Sequence, residues 1–453
     1  METKGQRLSP SRAVRRECAR AALALALSPP RALAYLAARP RLAREFREDA
    51  QRGAEISPLP SLSGLPERPL RLFLSCAEPS GEVHARNLVR AVRKVAREHG
   101  APEPEFSGLG SPALAREKVR ILGNPLERAA MGTDALRSVG FYARLLCRAA
   151  EHFDREPPDA CVPVDSPALH VPLGGIAHRY GIPVVHFVTP QYWAWAPWRV
   201  AGYRSAVDLA LAILPFESAW FGRNGVATAY VGHPQLDVLG AFPPPAPSTT
   251  GTSLVLLPGS REKVIERNLP WMLAVAARLR REHPGLEVVL PHDRRDLEPI
   301  LVRHVEASGA RSWVRVALGG LCAELPRARA ALTVSGTVLI DLLHFRVPCA
   351  VVYRVPSRLS ATLSRRMLTV PHFASINLLA GRALVPEFCF HGEGPLEEAA
   401  AFLSRCLKDE AFHSAMRADL EEAAKRLGPS GATVRAAGHV LAAAAGSPRA
   451  ESA

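Results

Sequence analysis

No run of apolar residues in this chain approaches the ~18–20 that an α-helix needs to cross a bilayer, so a transmembrane protein is not expected. The eight cysteines are scattered without a C-x-x-C pair, which removes the usual zinc and dithiol patterns and fits reduced core residues of a cytosolic protein. Acidic residues are in deficit: 43 Asp and Glu stand against 57 Lys and Arg, a formal charge of +14. That surplus lacks the Lys/Arg blocks and interleaved aromatics of a nucleic-acid surface, which argues against a nucleic-acid partner. It points to anionic lipid or a phosphorylated substrate, or reflects no more than an arginine-rich composition. A repeat of about 20–50 residues is also missing, which excludes a solenoid. The short apolar stretch 21–27 lies behind Arg15, Arg16 and Arg20, but Pro29, Pro30 and the basic helix after them do not fit a signal peptide.

What is present is material for two or three domains, with 453 residues of which 48% are hydrophobic. Residues 1–68 read as a basic helical appendage, with helices near 12–27 and 31–51 that either lie on an anionic membrane or stand as a solvated pair. From residue 69, strand-like runs near 71–75, 161–164, 184–187, 209–214 and 228–231 alternate with helical segments, the pattern of a helix-covered parallel sheet. This first domain is expected to end at residue 240, followed by a proline-rich linker over 241–250. A second αβ series covers 251–445, with strands near 253–257, 286–290, 330–334 and 350–353, then helices near 397–408, 410–426 and 432–444. Residues 446–453 should fray.

Each half opens on a strand, a small turn and a helix: Ser75-Cys-Ala-Glu-Pro-Ser-Gly-Glu82 in the first, Leu257-Pro-Gly-Ser-Arg261 in the second. Backbone N–H groups at such a helix start point at an anion, and the helix dipole adds roughly 0.3–1 kcal/mol. Neither turn matches G-x-G-x-x-G, so each alone is equally an ordinary strand-to-helix connection. Two Rossmann-like halves with a ligand cleft at the strand carboxyl ends fit several classes of sugar-nucleotide enzyme and some binding proteins.

An ordered set of segments narrows the choice. To those two turns are added Val188-Thr-Pro-Gln-Tyr-Trp-Ala-Trp195, Ile213-Leu-Pro-Phe-Glu217, Val231-Gly-His-Pro234, Ser335-Gly-Thr337, Tyr353-Arg354 and Asn377-Leu-Leu-Ala-Gly-Arg-Ala-Leu-Val-Pro-Glu387. Over residues 70–390 the chain resembles the lipid-A-disaccharide synthases, an inverting GT-B glycosyltransferase family; the appendage lies outside the resemblance. The resemblance implies an α/β GT-B fold, two Rossmann-like domains with parallel sheets facing a central cleft. It implies transfer of 2,3-diacylglucosamine from UDP-2,3-diacylglucosamine to 2,3-diacylglucosamine 1-phosphate (lipid X), giving a β-1,6 disaccharide 1-phosphate and UDP. It also implies a cytoplasmic protein peripheral on the inner membrane, with that anionic surface and the two acylated substrates as partners. No Asp-x-Asp motif is present, so no metal and no cofactor is expected.

Residue by residue, the resemblance makes Asp165, in Val164-Asp-Ser-Pro167, the candidate general base; Asp-Ser-Pro also reads as a plain helix start. Gly259, Ser260 and Arg261 would hold the UDP diphosphate, Arg261 by bidentate pairing. Ser335, Gly336 and Thr337 form a second anion site, and Asn377, Gly381 and Arg382 border the UDP cleft, with a surface ion pair as the other reading of Arg382. Glu78, Ser80, Gly81, Trp193, Trp195 and Arg199 fall on the acceptor side, the tryptophans shared between ligand and packing roles. The segment after Gly132, with Phe141, Tyr142, Leu145 and Leu146 beside Arg137, Arg144 and Arg148, reads as a membrane-facing or as a core helix.

The chain departs from the family where Ala168, Leu169 and His170 replace Asp-Phe-Asn, where Ala196 replaces Arg, and where Val264 replaces Glu; Pro79, Glu82 and Asp341 are milder changes. A polar group left unpaired in a buried site costs about 1–3 kcal/mol, so these changes alter which polar groups the ligand must satisfy. Two alternatives remain: a divergent GT-B enzyme with another acceptor, and a non-catalytic UDP-sugar-binding homologue. An epimerase has no place for the Trp-Ala-Trp and Asn-Leu-Leu-Ala-Gly-Arg segments.

Overall fold

A computed structural model of the chain describes residues 9–129, 135–242, 253–358, 362 and 366–446. The chain divides into two units, residues 1–234 with 430–453, and residues 235–429. The first carries a seven-stranded parallel sheet of β1 (Arg71–Cys76), β2 (Glu105–Leu109), β3 (Val119–Gly123), β4 (Ala160–Val164), β5 (Val185–Phe187), β6 (Leu209–Ala212) and β7 (Thr228–Tyr230), in the order β3-β2-β1-β4-β5-β6-β7. The second carries β8 (Ser253–Leu257), β9 (Glu287–His292), β10 (Val314–Leu318), β11 (Ala328–Val334), β12 (Cys349–Arg354) and β13 (Glu387–Phe390), in the order β10-β9-β8-β11-β12-β13. The central strands are continuous apolar runs because helices cover both faces of such sheets: every residue of β4, β8 and β11 is buried.

Both orders are doubly wound, reversing direction beside their first strand, and such sheets bind ligands at that reversal, outside the strand carboxyl ends. In the first unit the reversal lies between β1 and β4, whose register pairs Cys76 with Val164. In the second it lies between β8 and β11, where Leu257 pairs with Thr333. The two turns singled out in the sequence and the Asp165 and Ser335 segments therefore sit at the two switch points.

The helices used below are α1 (Pro10–Ala26), α2 (Ser28–Arg52), α3 (Pro79–Glu98), α4 (Ala135–Arg155), α5 (Pro167–Arg179), α6 (Glu262–Glu282), α7 (Val338–His344), α8 (Ser375–Ala380) and α9 (Ala432–Ala445). Helix α3 starts on Pro79, whose fixed φ suits a first turn, and buries Leu88, Val92 and Val95 along one stripe. In α4, Leu145, Leu146, Ala149, Ala150 and Phe153 are buried, so its described part is a core helix. The side chains of residues 128–138, Arg137 among them, lie outside the described residues.

The division of the chain corrects the boundaries expected from the sequence. Helix α9, expected in the second domain, packs on α3 and against β4 and β5, adding Ala436, Ala437, Val440, Leu441 and Ala444 to the first core. The first crossing falls at Pro234, before the expected linker, because the helix Gln235–Leu239 packs on α7 and Gln235 Nε2 donates to Asp341 Oδ1 at 2.7 Å. The proline run and the tail beyond Gly446 lie outside the described residues.

The appendage is no merely solvated pair. Helix α1 lies against α4 and α5, burying Ala13, Val14 and Glu17, and Glu17 pairs with Arg179. Helix α2 buries Tyr35, Phe46 and Asp49; Asp49 pairs with Arg223 at 2.6 Å, and the Phe46 ring lies 5.7 Å from that of Trp193 and 5.3 Å from that of Phe216. We expect Phe46→Ala to lower stability in urea unfolding by about 3–5 kcal/mol. Exposed Leu23→Ala should change it by less than about 0.5 kcal/mol.

Candidate functional site

At the first switch point the backbone leaves the ordinary regions of φ,ψ space. Asp165 and Ser166 are both left-handed, with φ of 59° and 47°, and Val188, just past β5, has φ of 65°. Asp tolerates this conformation; a β-branched residue does so rarely, and each such residue costs about 1–3 kcal/mol unless its surroundings hold it. The surroundings here are specific. The Asp165 carbonyl accepts from His170 Nδ1 and, at 2.9 Å, from His186 Nε2, while the Asp165 N–H donates to the Phe187 carbonyl at 2.9 Å.

A carbonyl only accepts, so both imidazoles carry their proton on the nitrogen facing Asp165, and their far nitrogens are acceptors. His170 Nε2 then accepts from the Ser75 hydroxyl at 2.9 Å, and His186 Nδ1 from the Tyr203 hydroxyl at 2.8 Å. Burial, with the neighbouring His186 adding to it, depresses the His170 pKa to about 3, and burial depresses that of His186 to about 4. The result is a neutral chain, Ser75–His170–Asp165 carbonyl–His186–Tyr203, in which every nitrogen and the shared carbonyl are satisfied. It fixes the backbone of Asp165 and leaves that residue's half-buried side chain on the rim.

The first turn reaches the same place. A Cβ on Gly81 would stand 3.4 Å from the Asp165 Cβ and 3.9 Å from its Oδ2, so the start of α3 lies directly against the carboxylate. Glu78 caps α3 without a side-chain capping bond and is half-buried, and Ser80 is exposed. Glu82 is structural: its carboxylate accepts from the Ser111 N–H at 3.0 Å.

The two tryptophans that the sequence reading expects on the acceptor side part company. Trp193 is buried between Phe46 and Phe216, and its Nε1 donates to Glu217 Oε1 at 3.0 Å. The other oxygen of Glu217 accepts from the N–H groups of Ile213 and Leu214, both at 2.9 Å, so the Leu-Pro-Phe-Glu motif pins the Trp segment. Burial pushes the Glu217 carboxyl above its ordinary value, opposed by these bonds. Trp195, by contrast, is 48% exposed, with the Arg199 guanidinium 4.9 Å above its ring.

In the second unit the turn after β8 depends on one glycine. Gly259 has φ of 110°, and a Cβ there would come within 2.7 Å of Val264, so no side chain fits. His292 Nε2 donates to the Gly259 carbonyl at 3.1 Å and Arg294 Nη1 to that of Ser260 at 3.2 Å. Arg261, exposed, caps α6 with no side-chain capping bond, so the first-turn N–H groups gain no partner from its side chain. Ser335 Oγ donates to the Phe373 carbonyl at 3.3 Å, and exposed Gly336 and Thr337 lead into α7.

Two residues placed at the UDP border have other occupations. Asn377 on α8 is fully buried: its Oδ1 accepts from Leu384 and Val385 N–H, and its Nδ2 donates to the Val385 carbonyl and to Glu387 Oε1. All four capacities of its amide are used inside the fold, so its side chain shapes the loop after α8 instead of facing a ligand. Arg382 pairs with Asp419 at 2.7 Å on the surface. Gly381, with φ of 69°, is the left-handed C-cap of α8. Asp341, on α7, is a buried carboxyl pushed up to about 6, by burial first and by Asp293 beside it, against its bond from Gln235.

The residues sequence reasoning passed over are His186 and Tyr203, with His170 noted only as a departure. Their signal was a histidine within a buried strand, Val185-His186-Phe187, and a second one five residues past Asp165.

Residues 72–432 match the family model described as lipid-A-disaccharide synthetase. Among curated relatives, the lipid-A-disaccharide synthase of Myxococcus xanthus is 36% identical over 388 residues, 82% of this chain and 97% of its own length. That of Trichlorobacter lovleyi is 30% identical over 384 residues, 83% of this chain and 97% of its own. The Staphylococcus aureus MnaA–UDP co-structure has a TM-score of 0.55 at 12% identity, covering 81% of this chain and 94% of that one. A structure of the Listeria monocytogenes putative UDP-N-acetylglucosamine 2-epimerase has a TM-score of 0.53 at 12% identity, covering 80% and 94%. At such identity these structures show the shared two-unit α/β architecture.

Two measurements of stability follow from the buried groups. His170, His186 and His233 are neutral when folded, with pKa values near 3, 4 and 3, whereas an unfolded imidazole titrates near 6.5. Their contribution is complete above pH 6.5 and is lost as pH falls, because the unfolded chain then binds more protons, by up to about 4 kcal/mol per pH unit for the three together. His170→Asn should reduce the slope of unfolding free energy between pH 6 and pH 5 by about one proton. Asp341 has the opposite sign: its pKa is raised, so its stabilisation is present below about pH 4 and lost as pH rises through about 6. Asp341→Asn should stabilise the protein at pH 7.5 by about 1–3 kcal/mol in urea unfolding, and not at pH 4.

Proposed function

Because the chain belongs to the lipid-A-disaccharide synthase family, and is thus a glycosyltransferase of lipid A synthesis with a GT-B fold, we propose its substrates and the roles of its residues as follows. The donor is UDP-2,3-diacylglucosamine and the acceptor is 2,3-diacylglucosamine 1-phosphate. Asp165 takes the proton of the acceptor 6-hydroxyl as that oxygen attacks the anomeric carbon from the face opposite UDP. The bond from that carbon to the diphosphate oxygen breaks, and its electron pair leaves with UDP. The product is the β-1,6 disaccharide 1-phosphate, with inverted configuration, and the proton rests on Asp165.

The observation that carries this reading is the setting of Asp165: a carboxylate on a left-handed strand end at the switch point, its backbone held by two neutral imidazoles, with the glycine of the first turn against it. A base that must accept a proton at one place gains from fixed geometry more than from strength. On the donor side, the N–H groups of Gly259 and Ser260 and the guanidinium of Arg261 meet the diphosphate as its charge grows, with Ser335, Gly336 and Thr337 as the second anion-binding turn. No metal or other cofactor takes part in this reading. Trp195 and Arg199 belong to the acceptor side. Both substrates carry acyl chains, so the protein acts as a peripheral protein on the cytoplasmic face of the inner membrane.

Incubation of the protein with both substrates should yield disaccharide phosphate by mass spectrometry, with turnover indifferent to EDTA. UDP binding without product would overturn the acceptor assignment and favour a different acceptor or a non-catalytic role. Asp165→Ala should abolish turnover and leave UDP affinity within about twofold; Asp165→Asn should do the same, a loss of about 10²–10⁴-fold being typical for a missing base. Arg261→Ala should weaken UDP by about 1.5–3 kcal/mol, read by calorimetry.

A further inference from the structure

Helix α1 outruns the body it packs on. Val14 is 4% exposed; Leu25, eleven residues and three turns further along the same face, is 70% exposed. Beyond Arg20, residues 21–27 are Ala and Leu only, and every one is exposed. Across the 50° bend that follows, Leu33 of α2 is 71% exposed and Leu36 39%. A helix end that is apolar all round belongs in protein or lipid and not in water.

The charges choose between those two covers. Arg12, Arg15, Arg16, Arg20 and Arg31 are exposed around this corner, and the only acidic side chain from residue 10 to residue 44, Glu17, is turned inward to Arg179 and Arg20. A second copy of the corner would bring arginines against arginines with no carboxylate between them. An anionic bilayer offers acyl chains to the leucines and phosphates to the arginines. No single helix among the described residues is long and apolar enough to cross a membrane, which fits a corner that dips into one leaflet.

We propose that the α1–α2 corner inserts into the surface of an anionic phospholipid bilayer and is this chain's own membrane-docking element, lying outside the segment shared with the family. The inference gives a surface to the membrane partner proposed above, and rests on that reading for its purpose. The far end of α2 is rooted in the acceptor wall, where Phe46 stacks on Trp193, and even beside the corner the buried Tyr35, between Leu33 and Leu36 in the chain, has its ring 5.4 Å from that of Trp198. Docking the corner therefore docks the segment that carries Trp195 and Arg199.

The test is flotation of the full chain with extruded vesicles of phosphatidylglycerol and phosphatidylethanolamine, or of phosphatidylcholine alone. We expect the protein to float with the anionic vesicles and not with the neutral ones, and Leu23→Ser/Leu25→Ser/Leu33→Ser to lower the bound fraction about tenfold. Replacing Arg12, Arg15, Arg16 and Arg20 by Gln should remove the preference for anionic lipid. Single Leu25→Glu, at a solvent-facing position, should give the same direction of change if the triple variant misfolds by circular dichroism. Equal flotation of wild type and leucine variants overturns the proposal, as does no flotation at all. A dimer in sedimentation that the leucine variants abolish overturns it in favour of a second copy. The leucine variants should keep full turnover on detergent-dispersed substrates, so failure of docking and failure of the glycosyl-transfer reading are separately visible.

Discussion

The first unit turns on a single backbone carbonyl. The oxygen of Asp165 receives two imidazole N–H groups, and that double acceptance lets two consecutive residues remain left-handed at the end of a buried strand. Each strained residue costs about 1–3 kcal/mol, and a net hydrogen bond returns about 1 kcal/mol, so the bonds alone do not offset the strain. The balance comes from packing: the imidazoles are fully enclosed, stacked edge to face with centroids 5.9 Å apart, and the Tyr203 ring closes the far side at 5.4 Å from that of His186. Burial keeps both imidazoles neutral, and neutrality fixes their tautomers. A protonated ring would still donate to Asp165, but its bond with Ser75 or Tyr203 would reverse, the hydroxyl accepting and its own proton left to find another acceptor.

The second unit solves the same problem with less. Its turn after β8 also has a carbonyl held by a histidine from the neighbouring strand end, His292 on Gly259. There the strained residue is a glycine, for which φ of 110° carries no side-chain penalty, and Val264 fills the space where a Cβ would stand. A glycine needs no support to hold a positive φ, whereas Asp165 and Ser166 do. The difference in apparatus follows from that difference in backbone cost.

How much of this was legible in the sequence depended on periodicity. The strands β1, β4, β8, β11 and β12 announce themselves as apolar runs because both faces of each are covered. The strands β2, β3, β10 and β13 do not. β3, β10 and β13 are edge strands, paired on one side and only partly buried, and Arg120 and Arg315 interrupt the apolar residues of the first two; β2 is broken by Gly108, which touches the β1 backbone. Helix α9 follows its predecessors in composition, and nothing local says that it returns to the first unit. The distinctive motif around Asn377 reads as a ligand contact in the sequence, yet in the fold all four bonds of its amide close the loop after α8. The histidines beside Asp165 were visible as letters and not as a network, since the pairing with Ser75 spans ninety-five positions.

The departures from the family take on a different meaning once their depth is known. His170 is buried behind Asp165 and bonded on both nitrogens, so it bears on what holds the Asp165 backbone and not on the surface. Ala196 is likewise buried, in a left-handed turn between Trp195 and the helix that carries Arg199. Of Ala168, Leu169, His170 and Ala196, only Ala168 lies on the surface. The change is therefore mostly a rebuilding of the wall from within. The appendage belongs to that rebuilding: Glu17 lies against Gly175 on the helix that carries His170, and Phe46 lies against Trp193. A segment outside the shared family region is thus packed against the elements that carry His170 and Trp193, and its two parts obey different physics: the buried face is held by packing and ion pairs, while the projecting leucines have no such cover.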